Sequence, residues 1–204
     1  MSQAEHKKNN RLTIIALLAI FTLPVIVAYS AYFNGWFNSS ITVNKGELIT
    51  PVIDLTKAKP INSDGEAFIF DAGEPWRIIL PINDSSCLLS EEVDGCILDI
   101  YIMGQVHQAL GKEQDRVKRV LYTGSLNLSQ NQITEIQKRF VDLEVVSGED
   151  ISAVGLNPNF IYIADPIGNI MLRYPHVTKK EDAFLKGKEI LKDLKKMLKL
   201  SRIG

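Results

Sequence analysis

Two cysteines, Cys87 and Cys96, are the residues best suited to chemistry in this chain of 204 residues. Eight residues separate them. The C-x8-C spacing is neither the C-x-x-C of a dithiol motif nor the C-x-x-x-C of a thiolate metal motif. A gap of that length still closes into a disulfide, because the intervening chain can bend. Three uses stay open: a structural bridge that pins a loop to a helix, an exchangeable redox pair, or two thiolates of a metal site. A metal held by two thiolates usually needs a third ligand such as imidazole. The histidines downstream are His107 and His176. His107 follows Cys96 on one helix, about 16 Å along its axis. It cannot share a metal with Cys96 and reads as a packing or surface histidine. The candidate metal set is therefore Cys87, Cys96 and His176.

Other chemistries find no residues to carry them. There is no phosphate loop, no G-x-S-x-G, no H-E-x-x-H and no Ser-His-Asp set. The net charge is −1, and the chain after Arg11 is mildly acidic. Phosphate binding needs a basic footprint, so no nucleic-acid partner is expected.

The elements that must hold the cysteines become regular from residue 76. Trp76 to Ile82 reads as an apolar strand, and Asp84 to Gly95 as a polar loop carrying Cys87. Cys96 to Leu110 reads as a helix: Ile97, Ile100, Tyr101, Gly104, Val106, His107 and Leu110 recur near a period of 3.6, and Gly111 stops it. Cys96 then falls in the first turn, where unpaired N–H groups and the helix dipole favour a thiolate. Asp94 is the candidate N-cap. Val117 to Tyr122 is a second strand. Ser129, with Gln132 three places on, opens a helix to about Phe140 through a capping box. Strands follow at Leu143 to Val146, Phe160 to Ala164 and Ile170 to Tyr174, the last two joined by the Asp165-Pro166-Ile167-Gly168-Asn169 turn. Thr178 and Glu181 form a second capping pattern before a helix ending near Leu200.

The order β-α-β-α-β-β-α predicts an α/β fold, with a mainly parallel sheet, helices on both faces and a closing antiparallel hairpin. That order is thioredoxin-like. Its first strand–helix junction is where a redox pair sits, and Cys96 falls there. Pro158 precedes the strand at 160–164 and is the candidate cis-proline facing the pair. The candidate catalytic residues are Cys87, Cys96 and Pro158.

Residues 34–75 read as a linker with short extended segments, including a turn and strand over Asn44 to Pro51. Residues 12–33 are uncharged and span roughly 33 Å as a helix, enough to cross a bilayer. Lys7, Lys8 and Arg11 precede them, and the next basic residue is Lys45. The positive-inside rule places residues 1–11 in the cytoplasm and the domain, 76–204, across the membrane. Tyr29, Tyr32, Phe33, Trp36 and Phe37 suit an interfacial aromatic belt. The rival readings are a cleaved signal peptide ending near Ala28-Tyr29-Ser30 and a buried core helix. The last helix carries many lysines, from Lys179 to Lys199. They read as a solvated basic face or as contacts to anionic lipid head groups.

Three stretches carry a resemblance: Gln105 to Val120, Tyr162 to Pro175 and Leu191 to Gly204. They resemble a family of small proteobacterial inner-membrane proteins, distant relatives of the Sco/SenC cytochrome c oxidase assembly proteins. The resemblance implies a thioredoxin-like fold behind a transmembrane helix, with the domain in the periplasm. Sco/SenC proteins bind copper through C-x-x-x-C and a histidine before the strand leading to D-P-x-G. By that alignment Cys96 matches the second cysteine, and Cys87 is the first, displaced by an insertion. Asn157 or Asn159, beside Pro158, stands where the histidine would be. Fold and cellular context carry over and metallation does not, so no cofactor is expected, with copper the alternative. The expected function is an accessory or thiol-redox factor in respiratory cytochrome oxidase biogenesis. The alternatives are a non-enzymatic interaction module with a structural Cys87–Cys96 disulfide and a Sco-like copper chaperone. The implied partners are the inner membrane and respiratory oxidase subunits or assembly factors.

Overall fold

A computed structural model describes residues 3–34, 44–88 and 95–204. Trp36, Phe37 and Asp94, singled out from the sequence, lie outside the described residues. The first helix, α1, is Gln3–Phe33. Its segment Arg11–Phe33 is long and apolar enough to cross a membrane, and none of its hydrophobic window is buried in protein. Pro24 lies inside it. A lipid-embedded helix tolerates proline because neighbouring groups re-satisfy the freed backbone. The Thr22 hydroxyl donates to the Leu18 carbonyl at 2.9 Å.

Residues 44–204 form a separate unit. Its elements are β1 (Glu47–Asp54), β2 (Ile61–Asn62), β3 (Trp76–Pro81), α2 (Gly95–Ala109), β4 (Val117–Gly124), α3 (Gln130–Arg139), β5 (Leu143–Ser147), β6 (Phe160–Ala164), β7 (Asn169–Pro175) and α4 (Lys180–Leu200). The strands make one sheet in the order β1-β7-β6-β3-β4-β5-β2. β3 runs parallel to β4, and β4 to β5. β6 runs antiparallel to β3 and to β7. The β6–β7 turn closes at Gly168, whose φ of +95° only glycine adopts without strain.

β3 is buried on both sides, as a central strand must be. Its residues alternate between two cores. Trp76, Ile78 and Leu80 face a layer shared with α2, α3 and α4. Ile79 faces a second layer with Val120, Tyr122, Val146 and Tyr162. This second layer is covered by Leu55, Ala58, Phe68, Phe70, Ile151 and Leu156, which come from 3-10 and loop segments. The expectation of helices on both faces is therefore corrected: all three domain helices share one face. Residues from 55–70 occupy the other.

Those residues belong to the segment expected to be linker. β1 instead pairs with β7, Glu47 opposite Arg173 and Asp54 opposite Asn169, and β2 pairs with β5. Asp193, on α4 and 2% exposed, ties the start of this segment down. It accepts from the Lys45 and Gly46 N–H groups at 2.6 and 2.8 Å and from the Tyr174 hydroxyl at 2.9 Å. Gly46 is required there, because a Cβ would lie 2.5 Å from the Tyr174 ring.

Candidate functional site

Cys87 and Cys96 are joined in a disulfide, with Cα atoms 5.9 Å apart. That lies inside the range a disulfide spans without backbone movement. Two elements position them. Cys96 is the second residue of α2. Cys87 lies in the 3-10 turn Ser86–Leu88 that follows β3. Asp84 shapes that turn by accepting from the Ser86 N–H at 2.9 Å and from its hydroxyl. Leu88 is buried in the core, and its carbonyl accepts from Arg139 on α3 at 3.2 Å. Both cysteines are half-buried. The sequence placed Cys96 in the first turn of a helix directly after the first core strand, and it is there.

One turn further along α2 is Asp99, 1% exposed in a helix otherwise buried through Ile97, Leu98, Ile100, Ile102 and Met103. Its Oδ1 accepts from the Val177 N–H at 3.1 Å, and its Oδ2 lies 3.6 Å from His176 Nδ1. Burial pushes its carboxyl up, to about 6, against the opposing pull of the Val177 hydrogen bond and the His176 ring. Asp99 is not among the residues singled out from the sequence. The signal was present: an acid three residues after Cys96, on the side of the helix that meets the core. Tyr101, assigned to the apolar stripe, is instead 53% exposed.

The histidines have partners other than the cysteines. His176 is occupied by Asp99. His107 Nε2 lies 2.9 Å from the Val117 carbonyl and 3.2 Å from that of Gln114, a packing role that fastens α2 to the start of β4. The cis peptide among the described residues is Thr50–Pro51, so the bond before Pro158 is trans and the cis-proline expectation is corrected. Asn157 Oδ1 accepts from the Asn159 N–H at 2.9 Å, and the Asn157 N–H donates to the Tyr162 hydroxyl at 2.9 Å. This local turn uses the Asn157 side chain and suits a trans bond.

Among the described residues, no three His, Cys, Asp or Glu side chains gather where they could hold a metal ion. Both thiols are bonded to each other, and asparagine stands where the resemblance would require histidine. With the two sulfurs joined, neither is a thiolate free to ligate a metal, and no step is routed through one.

A family model described as transmembrane-like, thioredoxin-like, C-terminal domain matches residues 77–201. The chain belongs to that family. The matched range runs from β3 into the end of α4 and contains the cystine. One similar solved structure is BsSco, a member of the Sco family of cytochrome c oxidase assembly proteins in which a disulfide switch has been identified. It is 13% identical, with 74% of this chain and 96% of that chain covered, at a TM-score of 0.50. Another is a SCO1/SenC family lipoprotein from Bacillus anthracis str. Ames, 14% identical over 75% of this chain and 95% of that chain, at a TM-score of 0.48. Arabidopsis thaliana ScoI with copper bound is 14% identical over 74% of this chain and 98% of that chain, also at 0.48. No curated protein matches the sequence. At these identities the likeness is one of fold, a distant Sco/SenC-like and thioredoxin-like resemblance. With α1, the family suggests a single-pass membrane protein.

Proposed function

We propose that this protein is a membrane-anchored thiol-redox factor that serves respiratory cytochrome oxidase biogenesis from the periplasmic side of the inner membrane. The observation that carries the reading is the half-buried Cys87–Cys96 disulfide, which joins the first turn of α2, the next helix after the central strand, to the Ser86–Leu88 turn between them. A client dithiol would exchange with it through a mixed disulfide. The client thiolate attacks one sulfur, the Cys87–Cys96 bond breaks, and the second client thiol closes the client disulfide. Two electrons and two protons then reside on Cys87 and Cys96. A Cys96 thiolate is favoured by the helix dipole and the free N–H groups of the first turn. The basic residues before Arg11–Phe33 support a cytoplasmic N-terminus.

A second reading has its own support. Leu88 in the core and Arg139 on its carbonyl clamp the loop beside the bridge. The disulfide is then structural and the domain acts by contact. Measuring the reduction potential of the full chain in detergent separates the two. A value above roughly −300 mV supports exchange, and one well below it assigns a structural bridge.

A further inference from the structure

α2 and α4 lie side by side with their N-termini at one end. Val177, just before α4, meets Asp99 in the first turns of α2. Gly187 lies against Ile102 and Val106, and Arg116, past the end of α2, reaches the Leu198 carbonyl. Between the helices is an open groove of about 530 Å³. Tyr101 and Phe184 stand on its walls, 53% and 81% exposed, and Lys180 and Lys188 line it with no Asp or Glu among the lining residues. The stripe continues down α4 at helical spacing through Lys195 and Lys199, both exposed. The ion pairs on these helices and just past α2 are His176–Asp99, Lys186–Glu189 and the Lys112 and Arg116 pairs to Glu113. Among the described residues, Lys180, Lys188, Lys195 and Lys199 therefore have no ion-pair partner.

A groove lined by lysines and exposed aromatics without acid, bordered by the exposed Glu181, is unexpected on this domain. The chain after Arg11 has 20 Lys and Arg against 23 Asp and Glu. The partner must supply negative charge and an apolar layer together. The ten residues between Phe33 and Asn44 reach about 35 Å at full extension, so such a partner is always within range if α1 spans a membrane.

We propose that the α2–α4 face docks on anionic bilayer lipid. The Phe184 and Tyr101 rings enter the head-group layer, and the lysine ammonium groups meet lipid phosphates. Cys96 lies on the first turn of α2, about 140° around the helix from Tyr101, and neither cysteine lines the groove, so docking leaves the disulfide uncovered. The proposal rests on the single-pass reading.

The test uses the full chain in nanodiscs of brominated phosphatidylglycerol or brominated phosphatidylcholine. Incorporation itself checks the anchor, so failure there is distinct from failure of docking. Phe184→Trp reports on the face, and Val141→Trp, at a site 67% exposed outside both helices, is the reference. The expected result is quenching about twofold stronger for Phe184→Trp than for Val141→Trp in phosphatidylglycerol, lost in phosphatidylcholine, at high salt, or when Lys180→Glu, Lys188→Glu and Lys195→Glu are combined. Equal quenching of the two reporters overturns the proposal. So does protection of Phe184→Trp that appears only when a partner protein is added, which would assign the groove to a peptide.

Discussion

The buried carboxylate of Asp99 lies 3.6 Å from the His176 ring, one turn of helix beyond the Cys96 half of the disulfide. Its carboxyl titrates near 6 in the folded protein, raised by burial from an ordinary value of 3.8. A raised acid pKa favours the folded state while both forms are protonated, below about pH 4. That contribution is lost as pH rises through the folded value near 6. Asp99→Asn removes the titration. The stability of Asp99→Asn relative to the natural chain is expected to rise between pH 4 and 6 by about 3 kcal/mol at most. Urea unfolding at several pH values checks it, and a pH-independent difference counts against the assignment.

Asp193 serves three donors at once: Lys45 N–H, Gly46 N–H and the Tyr174 hydroxyl. Asp193→Ala strands all three and is expected to cost about 3 to 5 kcal/mol. Asp193→Asn keeps one acceptor oxygen and is expected to cost less. Chemical denaturation of the two variants ranks them.

Arg77 is 2% exposed on β3, with its guanidinium carbon 4.8 and 4.6 Å from the Phe68 and Phe70 ring centroids. It donates to the Ile69 carbonyl at 2.7 Å and to the Pro166 carbonyl at 3.2 Å. Lysine keeps the charge and loses the planar fork that spans both carbonyls. Arg77→Lys is therefore expected to destabilise by about 2 kcal/mol or more, and Arg77→Met by less, since an apolar chain leaves no buried charge. Thermal melts showing Lys milder than Met contradict this account.

Reduction of the disulfide opens a short loop. The chain-entropy model gives about 3 kcal/mol for a loop of this size. Dithiothreitol is expected to lower the melting temperature, and Cys87→Ser combined with Cys96→Ser to melt at the same lowered temperature with or without reductant.

The elements from Trp76 onward were legible because their signals are local. The Ser129–Gln132 capping box forms in full, each side chain serving the other residue's backbone. Ile190, Leu194 and Leu198 recur at helical spacing on α4 and are buried. The Thr178–Glu181 pattern misled, because the N-cap is Lys179 and it makes no side-chain cap. Its Thr and Glu spacing matched, but the helix begins one residue later. The strand within Asn44 to Pro51 was legible, but its place in the sheet was not: its partner β7 lies more than a hundred residues away, and its residues are exposed or half-buried, with no alternation to mark a buried face. The position of Cys96 was readable from helix periodicity. The Asp99–His176 contact was not, because it depends on where the chain after β7 returns to α2.

The Lys45 and Gly46 anchor on Asp193 has a mechanical consequence. A pull arriving along the chain from α1 enters the domain at these two residues. It passes into α4 through Asp193 and into β7 through Tyr174 and the β1 pairing. The Ser86–Leu88 turn hangs from β3, two strands inward from β7. Tension on the tether is thus taken up at the rim of the sheet, and the sulfur–sulfur bond sits off the line of force.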